Sequence, residues 1–198
     1  MTTIDFIRHG EPVGGQCYRG HGVDDPLSES GWRQMWDAVG QAHPWQHIVT
    51  SPLQRCEAFA QALGKRHSIP VSVLADLKEV GFGSWEGKTP AELKQTHASE
   101  HAAFYLDPVR NRPAGAEDLD LFSARVNGCY QQIVAQHPQQ HVLVVAHAGV
   151  IRAIVAQQLG APLGAAYLMQ LGNAGLTRLV YNQGQSNLHF FNAQQLPQ

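Results

Sequence analysis

Short apolar runs alternate along the chain with stretches in which apolar side chains return every third or fourth position. Thr2 to Ile7 is the first such run, strand-like in length, and it leads directly into Arg8-His9-Gly10. Trp32, Met35, Trp36 and Val39 fall at i, i+3, i+4 and i+7, one face of an amphipathic helix, with Ser28 ahead of them as N-cap. His47 to Thr50 predicts a second short strand. Beyond Pro52, the residues Leu53, Cys56, Ala60 and Leu63 mark another helix, closed by Gly64. Val71 to Leu74 predicts a third strand, Gly81 to Pro90 is loop chemistry, and Ala91 to Phe104 reads as a weakly patterned helix. Leu119, Phe122, Val126, Tyr130 and Ile133 mark a long one.

Val142 to Ala146 is apolar at every position, the pattern of a strand covered on both faces. Val150 to Leu159 predicts a helix ending at Gly160. Leu176 to Tyr181 and Leu188 to Phe191 flank Asn182-Gln183-Gly184, the signature of a hairpin. Strands alternating with helices predict an α/β fold, with a mainly parallel central sheet flanked by helices. No internal repeat, low-complexity tract or linker interrupts the pattern, so one domain is expected over residues 1–198.

Composition narrows the function classes. The chain is 43% hydrophobic and 15% charged with a formal net charge of −2, so no global basic charge draws nucleic acid or an anionic membrane, and any anion must be handled locally. Cys17, Cys56 and Cys129 are scattered and odd in number, which argues against a disulfide framework and for a reducing compartment. The N-terminal apolar run is broken by Asp5 and Arg8, too early for a signal peptide, and no stretch is long enough to span a membrane. The expected address is the cytoplasm.

In open parallel sheets, ligands gather at the carboxyl ends of the strands. His9 follows the first predicted strand and His147 directly follows Val142–Ala146, so two central strands would deliver imidazoles to one edge. Arg8 adjoins the first, and Arg55 lies early in the helix after Thr50-Ser51-Pro52-Leu53. Between them, Gly10, Gly14, Gly15, Gly20 and Gly22, with Pro12 and Pro26, make a loop.

This set resembles the histidine phosphatase superfamily, which includes the cofactor-dependent phosphoglycerate mutases. The matching segments are Arg8-His9-Gly10 with Glu11, Asp25-Pro26-Leu27-Ser28 with Gly31, and Ser51-Pro52-Leu53 with Arg55. Glu79 ahead of Gly83-Ser84-Trp85-Glu86-Gly87, and Val144-Val145-Ala146-His147-Ala148-Gly149, complete the series in family order. The resemblance implies a three-layer, phosphoglycerate mutase-like sandwich. It implies that Arg8, Arg55 and His147 hold a phosphate, that His9 becomes a phosphohistidine, and that Glu79 protonates the departing alcohol and then takes a proton from water. Arginine suits this task because its planar fork pairs with two phosphate oxygens, and transfer of a phosphoryl group is mostly a matter of positioning and charge neutralisation. No metal or other cofactor is implied.

Relatives that use an Asp directly after the second histidine differ here, since Ala148 fills that position; Glu86 competes with Glu79 for the proton. Pro12, Gly15 and Phe59 also depart from frequent family residues, which bears on substrate and not on reaction class. His21, in the loop after the nucleophile, is expected either to line the cleft or to be a plain loop residue. His97 and His101 are spaced to bind zinc on a helix, but no third ligand is evident.

Mutases of the family carry an extra segment between the glutamate and the second histidine, and the compact Val80–Ala146 stretch favours hydrolysis. The Glu11-Pro12 opening and the Tyr18-Arg19-Gly20 loop look most like the α-ribazole phosphatase group of cobalamin synthesis, which implies α-ribazole 5′-phosphate as substrate. The alternatives are a cofactor-dependent phosphoglycerate mutase and a sugar (bis)phosphate phosphatase. The implied partner is a small-molecule phosphate monoester, with neither nucleic acid nor membrane, and a homodimer is compatible with the resemblance.

Overall fold

The computed structural model describes residues 1–41 and 43–197. One six-stranded sheet organises them. β1 (Thr2–Arg8) lies inside it, with β4 (His141–Ala146) parallel on one side and β5 (Leu176–Asn182) antiparallel on the other. β2 (His47–Thr50) and β3 (Val71–Val73) extend the parallel half, and β6 (Gln185–Ala193) closes the far edge against β5, giving the order β3-β2-β4-β1-β5-β6. The expected hairpin is this β5–β6 pair, turning through Gln183 and Gly184, both at positive φ.

Helices cover both faces. Alternate residues of β1 and β4 point to opposite sides, and both sides are apolar. Ile4, Phe6, Val142 and Val144 pack with Phe122, Val126, Tyr130 and Ile133 of α5 (Leu119–Gln136) and with Ile151 and Ile154 of α6 (Ala148–Gln158). Ile7, Leu143 and Val145 pack with Met35 and Val39 of α1 (Glu29–Val39) and with Cys56, Phe59 and Leu63 of α2 (Gln54–His67). Ser28 caps α1 as predicted, accepting the Gly31 N–H.

The weakly patterned stretch is two helices, α3 (Pro90–Thr96) and α4 (Ala98–Leu106), separated at His97 by non-helical backbone at φ −139°, ψ 43°. Each presents its own face, so no common periodicity survives. Leu93 and Phe104 bury against Trp85, with Tyr18, Phe82 and Tyr167 packed on this small cluster. It forms a cap beyond the carboxyl ends of the strands. No helix among the described residues is long and apolar enough to cross a membrane.

Candidate active site

His9 stands one residue past β1. Its backbone N–H reaches Ala146 O on β4 (3.0 Å), while its carbonyl accepts the Ala174 N–H at 3.3 Å. The next residue must be glycine for a steric reason: a Cβ on Gly10 would overlap the backbone of Gly31 at the start of α1, and a Cβ on Gly31 would overlap Glu11. The two glycines of separate sequence segments therefore let the loop press onto the helix.

The His9 ring is nearly fully buried, and its Nδ1 lies 2.8 Å from Gly10 O. A carbonyl only accepts, so Nδ1 carries the proton and Nε2 presents a lone pair. Burial first, then the charges of Arg8 and Arg55, hold the ring's pKa well below the ordinary histidine value. The imidazole is thus neutral, with one defined basic nitrogen.

His147 is fully buried as the N-cap residue of α6, edge-on to His9 with ring centroids 5.2 Å apart. Ser51 Oγ accepts the Leu53 N–H and contacts His147 Nε2 at 2.7 Å, so the hydroxyl proton is free to go to that nitrogen. Burial, then Arg55 and His9, keep this ring neutral too. Cys56 packs against it, 3.6 Å from Nε2, and burial pushes that thiol far above its usual range, making it inert.

Arg8, His9, Arg55 and Glu79 converge on one cavity of about 670 Å³. Arg55 is buried at the start of α2, donating to Gly20 O (2.9 Å) and Val23 O (3.0 Å), and its Nε has no partner among the described residues. Arg8 shares that property at Nε, while its Nη1 donates to Leu171 O at 2.5 Å. Burial lowers the Arg8 pKa to about 10, opposed by Glu79, so the guanidinium is still charged at neutral pH. A buried guanidinium and a half-buried one, both lining the same cavity, make an anion site.

Glu79 sits across the cavity. One carboxylate oxygen accepts the Val80 N–H (2.9 Å) and the other the Gly149 N–H (3.1 Å) in the first turn of α6. Its carbonyl accepts from His21 Nδ1 (3.0 Å) and Arg125 Nη2 (3.1 Å), and Arg125 also pairs with Glu117 at 2.7 Å. The segment is held from behind.

His21 is accordingly not among the cavity-lining residues; it steadies the Glu79 backbone from outside. His147 also lies behind the lining, against His9. Glu86 is not brought to the cavity either. Its carboxylate accepts the Phe82 N–H and fills the space that side chains at Gly20 and Gly22 would need. His97 and His101 do not converge: His97 Nδ1 meets Thr96 Oγ1 and His101 Nε2 meets Tyr18 Oη. Among the described residues, no three His, Cys, Asp or Glu side chains are placed to hold a metal ion. The sequence reading missed Arg152, Tyr105 and Tyr167, which line the outer cavity.

The histidine phosphatase superfamily (branch 1) model matches residues 4–194. The chain belongs to that superfamily. It is 27% identical over 192 residues to the adenosylcobalamin/alpha-ribazole phosphatase of Escherichia coli, covering 95% of this chain and 94% of that one. It is 31% identical over 196 residues to a bifunctional protein of Mycobacterium tuberculosis, covering 96% of this chain but only 54% of the relative's length. Among solved structures, the mycobacterial glucosyl-3-phosphoglycerate phosphatase in complex with VO3 superposes with a TM-score of 0.84 at 30% identity, covering 96% of this chain and 98% of that one. These likenesses agree with the expected mainly parallel, three-layer fold.

Proposed function

We propose that this histidine phosphatase superfamily member hydrolyses a small-molecule phosphate monoester through a phosphohistidine on His9. The observation that carries the reading is the Nδ1–Gly10 O contact of 2.8 Å in a buried, neutral ring, which leaves Nε2 as the nucleophile. Nε2 attacks phosphorus while the bond to the ester oxygen breaks. The electron pair leaves with that oxygen, and Glu79, entering as the acid, supplies its proton. Water then attacks the phosphohistidine, Glu79 takes the proton back, and the P–N bond returns its electrons to His9.

Arg8 and Arg55, both lining the cavity, carry the charge of the phosphoryl group through both steps. His147, neutral and edge-on, supports the His9 ring. The Glu11-Pro12 opening and the Tyr18-Arg19-Gly20 loop favour α-ribazole 5′-phosphate as the first compound to try. The name of the solved neighbour adds a phosphoglycerate ester to the panel. Rapid quench with ³²P-labelled substrate should trap an acid-labile, base-stable phosphoenzyme, absent in His9→Ala and formed equally in excess EDTA. Label on Cys17 or on a serine would overturn the mechanism.

A further inference from the structure

The Nε atoms of Arg8, Arg55 and Arg152 are buried without a partner among the described residues, and all three side chains line the same cavity. The first two belong to the phosphate end. Arg152 projects from the face of α6 that also exposes Ala148, Gly149 and Ala153 to the cavity. At 1.5 Å per residue it stands about 6 Å further along the helix axis than Ala148.

A third guanidinium on this cavity needs a reason. Burial lowers the Arg152 pKa, with Glu79 the strongest opposing influence, and Arg152 in turn helps to lower Arg8. Yet Glu79 commits both oxygens to backbone N–H groups and does not pair with Arg152 among the described residues. Arg112 shows the contrast. It packs over Phe82 and Phe104 of the cap but donates to Glu117 O, Tyr167 Oη and Gly81 O, the bonding of a structural arginine. A half-buried guanidinium with no such bonds is costly until an anion enters.

We infer that Arg152 binds a carboxylate on the alcohol half of the substrate, so that this enzyme selects phosphate monoesters bearing a second acid group. The inference rests on the phosphatase reading of the same cavity. A carboxylate fits better than a second phosphate. The phosphate end supplies two arginines, whereas the outer end supplies one, and the nearby Tyr167 hydroxyl is already engaged by Arg112 at 2.9 Å. A single planar fork matches a monoanion that accepts two parallel hydrogen bonds. On this basis α-ribazole 5′-phosphate, which has no carboxylate, is the weaker substrate.

The test compares 3-phosphoglycerate with glycerol 3-phosphate, which differ only by carboxylate against hydroxymethyl. Binding to His9→Ala, measured by calorimetry, needs no turnover and so stands even if the phosphatase reading fails. We expect 3-phosphoglycerate to bind about 10- to 100-fold tighter, within the range for hydrogen bonds to charged groups. Adding Arg152→Gln should abolish that difference while changing glycerol 3-phosphate less than about threefold, and Arg152→Lys should restore part of it. In the otherwise wild-type chain, Arg152→Gln should raise KM for 3-phosphoglycerate far more than KM for p-nitrophenyl phosphate, and an unchanged far-UV circular dichroism spectrum and melting midpoint report a folded protein. Equal affinity for the two esters, or an equal loss on both in Arg152→Gln, overturns the inference. Discrimination in binding without hydrolysis or phosphoenzyme overturns the phosphatase reading alone.

Discussion

The Glu79 carboxylate occupies the space where residue 149 would carry a Cβ, and it accepts that residue's N–H at 3.1 Å. Glycine at 149 therefore sets where the proton donor can sit. Gly149→Ala should drive the carboxylate off its seat while leaving Arg8, His9 and Arg55 in position. We expect kcat on an alkyl phosphate to fall about 10²-fold, the scale of general acid catalysis. p-Nitrophenyl phosphate, whose phenolate leaves unaided, should be far less affected, and steady-state kinetics on the two esters checks this.

The same ester pair separates the acidic residues. Glu79→Gln should slow the alkyl ester by about 10²-fold or more and the nitrophenyl ester little. Arg55→Ala should damage both alike, since phosphoryl charge needs neutralising whichever alcohol departs. Glu86→Gln should show no leaving-group dependence, because its carboxylate lies beneath Gly20 and Gly22. A leaving-group effect at Glu86 and none at Glu79 would reverse their assignments.

Much of this was legible from the chain alone, for identifiable reasons. His9 and His147 follow short, largely apolar strands, and such strands run to the carboxyl edge of a parallel sheet. Ser28 announced α1 through local capping chemistry. Arg152 stayed hidden because a lone arginine on a helix has the same sequence signature whether it faces solvent or a cavity. His21 was ambiguous for a related reason: loop glycines do not reveal which way a side chain turns. The break at His97 arises from tertiary packing of Leu93 and Phe104 on Trp85, which no window of local periodicity contains.

Stability should depend on pH through the two site histidines. Burial and the neighbouring arginines keep native His9 and His147 neutral, whereas unfolded rings protonate near pH 6.5. Below that value the unfolded state binds more protons, so stability falls as pH drops from 6.5 toward the native pKa values and is unaffected above it. The expected loss is about 1 kcal/mol per ring over the first pH unit. Urea unfolding at pH 7.5 and 5.5 measures it, and the difference should shrink in His9→Gln. An unchanged difference would show that His9 is protonated alike in both states.

Asp5 is the opposite case. It is fully buried in β1, and the hydrogen bonds from His141 (2.8 Å) and Arg178 (2.7 Å), with Trp45 Nε1 at 2.9 Å, outweigh burial and hold its pKa below the ordinary value. Asp5→Ala leaves Arg178 and the Trp45 N–H uncompensated and should cost about 3–5 kcal/mol in denaturant unfolding. Because Asp5 is not among the residues that line the cavity, kcat should change less than about twofold in the folded variant. A larger kinetic than thermodynamic effect would place Asp5 in the active-site machinery instead.

The strand order also dictates when the nucleophile comes into being. β1 leaves the ribosome first, but both of its neighbours, β4 and β5, are encoded after residue 140. At about 5–20 residues per second, the segment that will carry His9 waits roughly 7–27 s with both edges bare. An apolar ribbon in that condition invites pairing with another nascent chain. The negative charge of Asp5 in the middle of Thr2–Arg8 opposes such pairing during the wait, before it becomes the anchor of the finished sheet. Asp5→Asn should therefore raise the aggregated fraction in dilution refolding more steeply with protein concentration than its loss of stability explains.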